Sequence, residues 1–542
     1  MRSSSFQLSL VKTVLRIKNK ASSSRGVVEA SIAAYRRTNA ETNAVTEYNT
    51  ELALQQADAF DATEEVSDEA VLGGVPISFK DNFSLLGYNC TAGSRMLGNM
   101  ASTYDASVVT RIRRAGGIPC AKTNMDEFGM GSCSSTGMHG PVYSPLSVLS
   151  PEGGGKKEPL TAGGSSGGAA AAVAAGVVCA AVGSDTGGSV RQPASFCGLV
   201  GFKPTYGALS RHGLISYASS MDCPGVLTTN VADAGLLVDV LSGPCANDST
   251  SLRAPYSGLR TFHQLIAHVQ GSAVGRLGGP PSDERVTVRD LETWERAAAG
   301  GALGSLSGLK VGVPAEGFLE EADDEVREAC IAAAAVLRDA GADMYHVSMP
   351  VLKLALPCYY VLACAEASSN LMRYDGLRYG YSHDGTDEQI SMMGDTHDHS
   401  DMTALHRHIA RARGAALGPQ VVQRLLTGTY VLSEGARGDF FEIASHVRAS
   451  LMADMRATFE SVDVLLTPTV TKLPFLAGMP PGAADMLAYD VLTVSANLAG
   501  LPALSVPSGI SQDGRPIGMQ IMGPKLGDAM VLEVGLALEG RL

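Results

Sequence analysis

Ser189 follows two glycines in GSDTGGSVRQPA, residues 183–194, where Asp185 and Arg191 bracket it. A Gly-Gly step lets backbone N–H groups crowd around one point, and such a nest can hold an oxyanion. A serine at that point is a nucleophile that needs a base. The plainer reading of the same residues is a turn. Upstream, the tract GGSSGG at 163–168 places Ser165 24 residues before Ser189. A Gly/Ser tract is by default a flexible linker. It is not a phosphate loop, because no G-K-[ST] follows. Residues 163–167 fit G-x-S-x-G, but a nucleophile elbow needs a strand running directly into it, and here a polar, proline-containing loop precedes.

The third candidate is Lys80, at the end of the apolar run VPISF (75–79). A lysine there usually snorkels to water. Desolvated instead, its amine would have a lowered pKa and could act as a base. No histidine precedes His139, and none lies between His139 and His212. A Ser–His dyad would therefore need a distant histidine, whereas a lysine working through one serine on another would not.

These residues need elements to hold them. Residues 75–79 read as a strand, and 107–115 as an amphipathic helix closed by Gly116-Gly117, with a strand at 118–121. That rhythm suggests α/β architecture. The composition predicts helix over 27–60, a loop over 150–168 and a small-residue helix over 169–181. Thr229-Asn230 supplies a cap for a helix ended by Gly243-Pro244. Residues 262–307, rich in Gly and Ala, read as a surface insertion, and 309–314 as a buried strand. The C-terminal part alternates strand-like runs (VDVLLTP, PALSVP, GMQIMG) with a helix at 485–499. There is no internal repeat and no linker dividing the chain.

Composition narrows the function. The 542 residues are 45% apolar and 18% charged, a globular mix. A net charge of −13 and a single Trp argue against direct gripping of nucleic acid. Ten scattered cysteines include no C-x-x-C, which disfavours a zinc ribbon or dithiol site and points to a reducing compartment. No uncharged run of eighteen large apolar residues is present. Residues 1–26 carry six Arg or Lys, two serine triplets and no acid, a composition that suits a transit peptide. Leu8, Val11, Val14 and Leu15 equally fit an N-terminal helix of the domain.

GGSSGGAAAAVAAGVVCAAVGSDTGGSVRQPASFCGLVGFKPTYG (163–207), with ISFKDN at 77–82, resembles the motif of the amidase signature family. The similarity runs from about residue 10 to the C-terminus. It implies an α/β amidase-signature fold, a large mixed β-sheet core surrounded by helices, as one amidase domain over 27–542. It also implies Ser189 as nucleophile, Ser165 as cis-serine relay and Lys80 as base, with an oxyanion hole of N–H groups near Thr186, Gly187, Gly188 and Ser189. The stretches at 123–132, 211–228, 359–380, 426–435 and 495–509 are similar to the glutaminase (A) subunits of glutamyl-tRNA(Gln) amidotransferases, a branch of that family. GMHGPVYSP at 137–145 resembles the mitochondrial members.

That likeness implies a chain that hydrolyses glutamine and passes ammonia to a partner, with no cofactor and no metal of its own. Met130, Gly131 and Ser132 would line the pocket, Arg424 would meet the substrate carboxylate, and Asp490 its ammonium, with Tyr359 alongside. The partners would be the B and C subunits of a heterotrimer. The B subunit would hold Glu-tRNA(Gln) and use ATP and Mg²⁺; no membrane would be involved, and the location would be the mitochondrial matrix. Two rivals stay open. A stand-alone amidase on small or fatty amides would not need Arg424 and Asp490, and a non-catalytic interaction protein would not need the intact Lys80/Ser165/Ser189 set. The chain departs from the family at 146–160 and 262–307. His397, His399, His406 and His408 form a further cluster that could bind metal, although no family role supports it.

Overall fold

The computed structural model describes residues 9–541, apart from 150–156, 254–258, 272–284, 300–304, 318–321, 384–402 and 478–481. Its strands are β1 (Val45–Tyr48), β2 (Pro76–Lys80), β3 (Ile118–Thr123), β4 (Tyr143–Leu149), β5 (Lys157–Thr161), β6 (Ala180–Asp185) and β7 (Val200–Lys203). They continue as β8 (Cys223–Thr228), β9 (Lys310–Pro314), β10 (Asp343–Val347), β11 (Val464–Pro468), β12 (Ala503–Ile510) and β13 (Pro516–Met522). Eleven of these form one mixed sheet in the order β1-β3-β2-β6-β8-β7-β12-β13-β11-β9-β10, and β4 and β5 make a separate hairpin.

Helices cover both faces. Every residue of β2, β3, β6 and β8 is buried, so these strands read as continuous apolar runs rather than alternating ones. Towards one side of the sheet, β3, β2 and β6 run parallel. Their carboxyl ends, at Thr123, Lys80 and Asp185, therefore open on one edge of the sheet, the usual place for a site in an open α/β sheet.

Several expectations needed correction. The stretch 27–60 is two helices, Ser24–Thr42 and Thr50–Asp61, split where Asn43 turns left-handed (φ 49°) and β1 joins the sheet edge. The loop expected over 150–168 contains β5, which pairs with β4. The small-residue helix expected over 169–181 is Gly167–Ala174; Gly176 (φ 71°) turns the chain, and β6 has begun by Ala180. Fully buried Ala/Val runs carry no periodicity to separate helix from strand.

Within 262–307, the described residues include two helices that join the core. Helices Thr261–Val269 and Val288–Ala299 bury Phe262, Leu265 and Trp294 in the main core. The Asp239 carboxylate, accepting from the N–H groups of Thr261 (2.7 Å) and Phe262 (2.9 Å), caps the first of them. The helix expected at 485–499 is broken into Ala483–Ala488 and Val494–Leu498. Near the N-terminus, helix Leu10–Lys18 buries Leu10, Val11, Val14 and Leu15. Its first turn donates from Leu10 (2.7 Å) and Val11 (3.0 Å) to buried Asp233. One apolar stretch, Pro350–Arg373, is long enough to cross a membrane, but half of it is buried inside the protein. All ten cysteines are free thiols.

Candidate active site

The sheet brings the three candidate residues together. Lys80 is the last residue of β2 and lies beside β6, whose register pairs Phe79 with Val182. Lys80 Nζ lies 2.7 Å from Ser165 Oγ and 3.0 Å from Ser184 Oγ, with the Ser184 carbonyl at 3.4 Å. The amine is fully buried. Burial pushes its pKa down to about 7, against the opposing pull of Asp126, Asp185 and Asp222. Adjacent Asp81, which could have held the amine charged, instead pairs with buried Lys122 at 3.0 Å and accepts from Thr91.

A neutral amine has two N–H groups and one lone pair. The two acceptors of Ser184, its Oγ and its carbonyl, match the two N–H groups, which leaves the lone pair for the Ser165 hydroxyl. Ser165 follows a cis peptide bond at Gly164–Ser165. Gln192 holds this turn by accepting from Gly164 N–H (2.8 Å) and donating to Ser132 O (2.8 Å). The Ser166 N–H donates to Ser189 O at 3.1 Å, so the two serine loops are stitched together by backbone. Ser165 is buried and Ser189 partly exposed. The nucleophile candidate thus faces the approach, and the relay and base sit behind it.

The loop after β6 is built on Asp185. Its carboxylate accepts from the N–H groups of Gly188 (2.9 Å) and Val190 (3.1 Å), from the Arg191 guanidinium (2.9 and 3.1 Å) and from Asn497 (2.9 Å). Burial alone would raise this carboxyl; Arg191 overcomes it and holds the group well below the usual range. Asp185 and Arg191 are therefore framework. With Gly188 N–H spent on Asp185, the N–H groups of Thr186, Gly187 and Ser189 have no acceptor among the described residues. These are the free donors an oxyanion would use. Gly188 has φ 129°, which a side chain would strain. A Cβ at Gly187 would lie 2.6 Å from Tyr359 Cζ, so the ring sits directly on the loop.

The pocket wall is assembled from distant segments. Met130 is buried, and Ser132 Oγ donates to both carboxylate oxygens of Asp490, each at 3.0 Å. Gly131 packs on Asp126, whose carboxylate accepts from the N–H groups of Ser134 (2.8 Å) and Ser135 (3.0 Å) and so fixes this loop. Tyr359 stands on helix Ala355–Asn370 and Arg424 on helix Pro419–Val431. Asp490 occupies the break between the two C-terminal helices, where Thr493 Oγ1 donates to Gly187 O (2.5 Å) and Asp490 O (3.0 Å). Burial raises Asp490 to about 6, although Ser132 and Tyr360 hydrogen bonds and the Arg424 charge favour its ionised form.

Sequence reasoning missed the two tyrosines that organise this wall. Tyr360 donates to Asp490 (3.0 Å) and carries the Arg424 guanidinium 5.2 Å above its ring. Tyr217 holds the same guanidinium 5.5 Å from its own ring and through its hydroxyl. Nothing in their spacing marks them. Of the histidine cluster, His397 and His399 lie outside the described residues. His408 meets Ser382 and Gly376 O, and no metal-holding group occurs among the described residues.

The sequence profile of the Amidase family matches residues 26–532. The chain is 38% identical to the A subunit of the glutamyl-tRNA(Gln) amidotransferase of Chromohalobacter salexigens, over 94% of this chain and 92% of that one. It is 39% identical to the protein of the same name from Alkalilimnicola ehrlichii, over 95% and 93%. Among solved structures, that of the same-named protein from Thermotoga maritima superposes with a TM-score of 0.71 at 29% identity, covering 98% of this chain and 94% of that one. A bacterial aryl acylamidase of the amidase signature family shares the fold, with a TM-score of 0.74 at 23% identity over 98% and 96%.

Proposed function

The chain belongs to the amidase family, and from that premise we propose that it is the glutamine-hydrolysing subunit of a tRNA-dependent amidotransferase. The observation that carries this reading is the wall opposite the serines. Arg424 and Asp490 stand on either side of Tyr360, which touches both, and no ion pair joins them. A pocket for an uncharged amide has no use for a carboxylate and a guanidinium held apart. Free glutamine presents an ammonium and a carboxylate that match them.

Ser189 Oγ would attack the side-chain carbonyl carbon. Its proton passes to Ser165 as the Ser165 proton passes to neutral Lys80. The N–H groups of Thr186, Gly187 and Ser189 receive the oxyanion. On collapse, the C–N bond breaks, the relay returns a proton to the leaving nitrogen, and ammonia departs. Water then attacks the acyl-enzyme by the same relay, releasing glutamate and restoring Ser189.

The ammonia would go to a partner, the B subunit, which binds Glu-tRNA(Gln) and uses ATP and Mg²⁺; a third chain, the C subunit, would complete a heterotrimer. The acidic net charge of −13 suits a chain that leaves tRNA to its partner. A mitochondrial matrix location rests on the resemblance at 137–145, because helix Leu10–Lys18 within the basic segment packs into the core against Asp233. The test is to purify the native complex and measure ammonia release from glutamine with and without charged tRNA. Glutaminase activity that rises with Glu-tRNA(Gln) is expected. High turnover of uncharged amides with none of glutamine would make the stand-alone amidase the better reading.

A further inference from the structure

Asp222 lies outside the reacting trio, yet the sheet places it against both halves of the site. Strands β6 and β8 pair antiparallel with Asp185 opposite Cys223. The next step along that register sets Thr186 against Asp222. The Thr186 hydroxyl donates to Asp222 Oδ1 at 2.7 Å.

The other bonds of this carboxylate face away from the hole. The chain turns tightly at 218–222, with the N–H groups of Met221 (2.9 Å) and Asp222 (2.8 Å) both donating to Ala218 O. The carboxylate folds back over that turn. It accepts from Tyr217 N–H at 2.9 Å and from Ala218 N–H at 3.1 Å. Tyr217 in turn gives its ring and hydroxyl to Arg424, and Asn370, at the end of the Tyr359 helix, donates to Tyr217 O at 3.1 Å. Asp222 is 2% exposed. A buried carboxylate with its hydrogen bonds met is a rigid joint, and losing its charge leaves several donors unpaired at once.

We propose that Asp222 is a positioning residue that ties the oxyanion hole at Thr186 to the Tyr217–Arg424 clamp, so that one carboxylate sets both substrate affinity and turnover. This inference rests on the reading of Arg424 as the partner of the substrate carboxylate. Burial lifts Asp222 to about 6 despite its hydrogen bonds, so it is ionised at neutral pH. The two halves can then be cut separately. Thr186→Val removes the bond toward the hole and leaves the 217–222 turn intact. Tyr217→Phe removes the hydroxyl from Arg424 and from Tyr359 and leaves the Thr186–Asp222 bond in place. Asp222→Asn weakens both connections.

The experiment uses the purified complex, with kcat on glutamine and calorimetric binding of glutamate, the product that keeps both charged groups. Thr186→Val should lower kcat and leave glutamate affinity within about twofold. Tyr217→Phe should weaken glutamate binding by a larger factor than it lowers kcat. Asp222→Asn should do both, by roughly ten- to hundredfold each, the range for losing a hydrogen bond to a charged group. Added to the Thr186→Val/Tyr217→Phe pair, it should cost much less than it does alone. An Asp222→Asn complex that melts earlier but keeps both constants would assign the residue to folding only and overturn the proposal. A change in only one constant would break the tie between the halves. Wild-type binding of glutamate, abolished by Arg424→Ala, is measured first; its absence would refute the substrate reading itself, separately from any Asp222 result.

Discussion

The two sides of the pocket are built differently. The reacting side comes from two short stretches, 163–192 and the end of β2, at the carboxyl ends of the parallel strands β2 and β6. Lys80 and Ser165 are almost wholly withdrawn from water, 0% and 1% exposed. Its geometry follows from strand register and glycine turns. The recognising side comes from positions 132, 217, 360, 424 and 490, on helices and loops brought together only by the fold, and Arg424 and Asp490 are partly exposed. Chemistry needs fixed positions and a low dielectric. Recognition needs charged groups that an arriving ligand can reach. Damage to the first side should therefore appear in kcat, and damage to the second in KM.

The largest effect should come from Ser189→Ala. It removes the attacking atom and adds no bulk, so glutaminase activity should fall at least about 10⁴-fold with melting temperature unchanged, by comparison with loss of a nucleophile in other hydrolases. Ammonia supplied directly should still support tRNA amidation by the partner. Retained ammonia release from glutamine would remove Ser189 from its role.

Lys80 tests the same side through pH. With its pKa lowered to about 7 by burial, the fraction of neutral amine grows as pH rises, so kcat should increase with pH through about 7 and then level off. Lys80→Ala should lose most activity, and Lys80→Arg should not restore it, because a guanidinium stays protonated. Near-normal turnover by Lys80→Arg would show that positive charge suffices there, and the lysine–serine–serine relay would have to be abandoned.

The same contrast decides what could be read in advance. Ser165 and Ser189 could be singled out because they are close in sequence and their constraints are local, whereas Lys80 lies 85 residues before Ser165 and joins it only through the β2–β6 pairing. A Gly-Gly step, a serine tract and a lysine ending an apolar strand each suggested a position, but each alone fitted a turn, a linker or a snorkelling lysine equally, and only the resemblance joined them. Arg424 and Asp490 could be named only through the resemblance, since one arginine on an amphipathic helix looks like any other. Tyr217 and Tyr360 escaped altogether, because a tyrosine in a loop or on an apolar helix is ordinary until its partners are known. The fold was read well at the parallel strands β2 and β3 and poorly where buried runs lack periodicity. Residues 169–181 are the clear instance: glycine geometry at Gly176, not hydrophobic pattern, ends the helix. The helix at 261–269 was misjudged because its anchor, Asp239, lies on another element.

On the recognising side, Arg424→Ala should raise the glutamine KM by roughly 30- to 1000-fold with kcat changed much less. That is the range for truncating one partner of a buried charge pair. Asp490→Asn should act likewise through the ammonium. A selective fall in kcat with KM unchanged for either variant would move that residue to the reacting side and blur the division.

The smallest effect, and the sharpest test, belongs to Tyr360→Phe. The ring beneath Arg424 stays, and only the hydroxyl that donates to Asp490 is lost. KM should rise by about tenfold near neutral pH, as for one hydrogen bond to a charged group. The pH dependence carries more information than the size. Asp490, at about 6, binds an ammonium only when ionised, so the wild-type KM should climb as pH falls through about 6. The Tyr360 hydroxyl stabilises the ionised carboxylate. Without it the pKa of Asp490 moves further up, and the climb in KM should begin at a higher pH. The kcat limb near 7 belongs to Lys80, on the other side of the pocket, and should stay where it is. A variant whose KM profile superimposes on the wild type would show that Tyr360 only fills space. One that moves the kcat limb as well would show that the two sides are not independent.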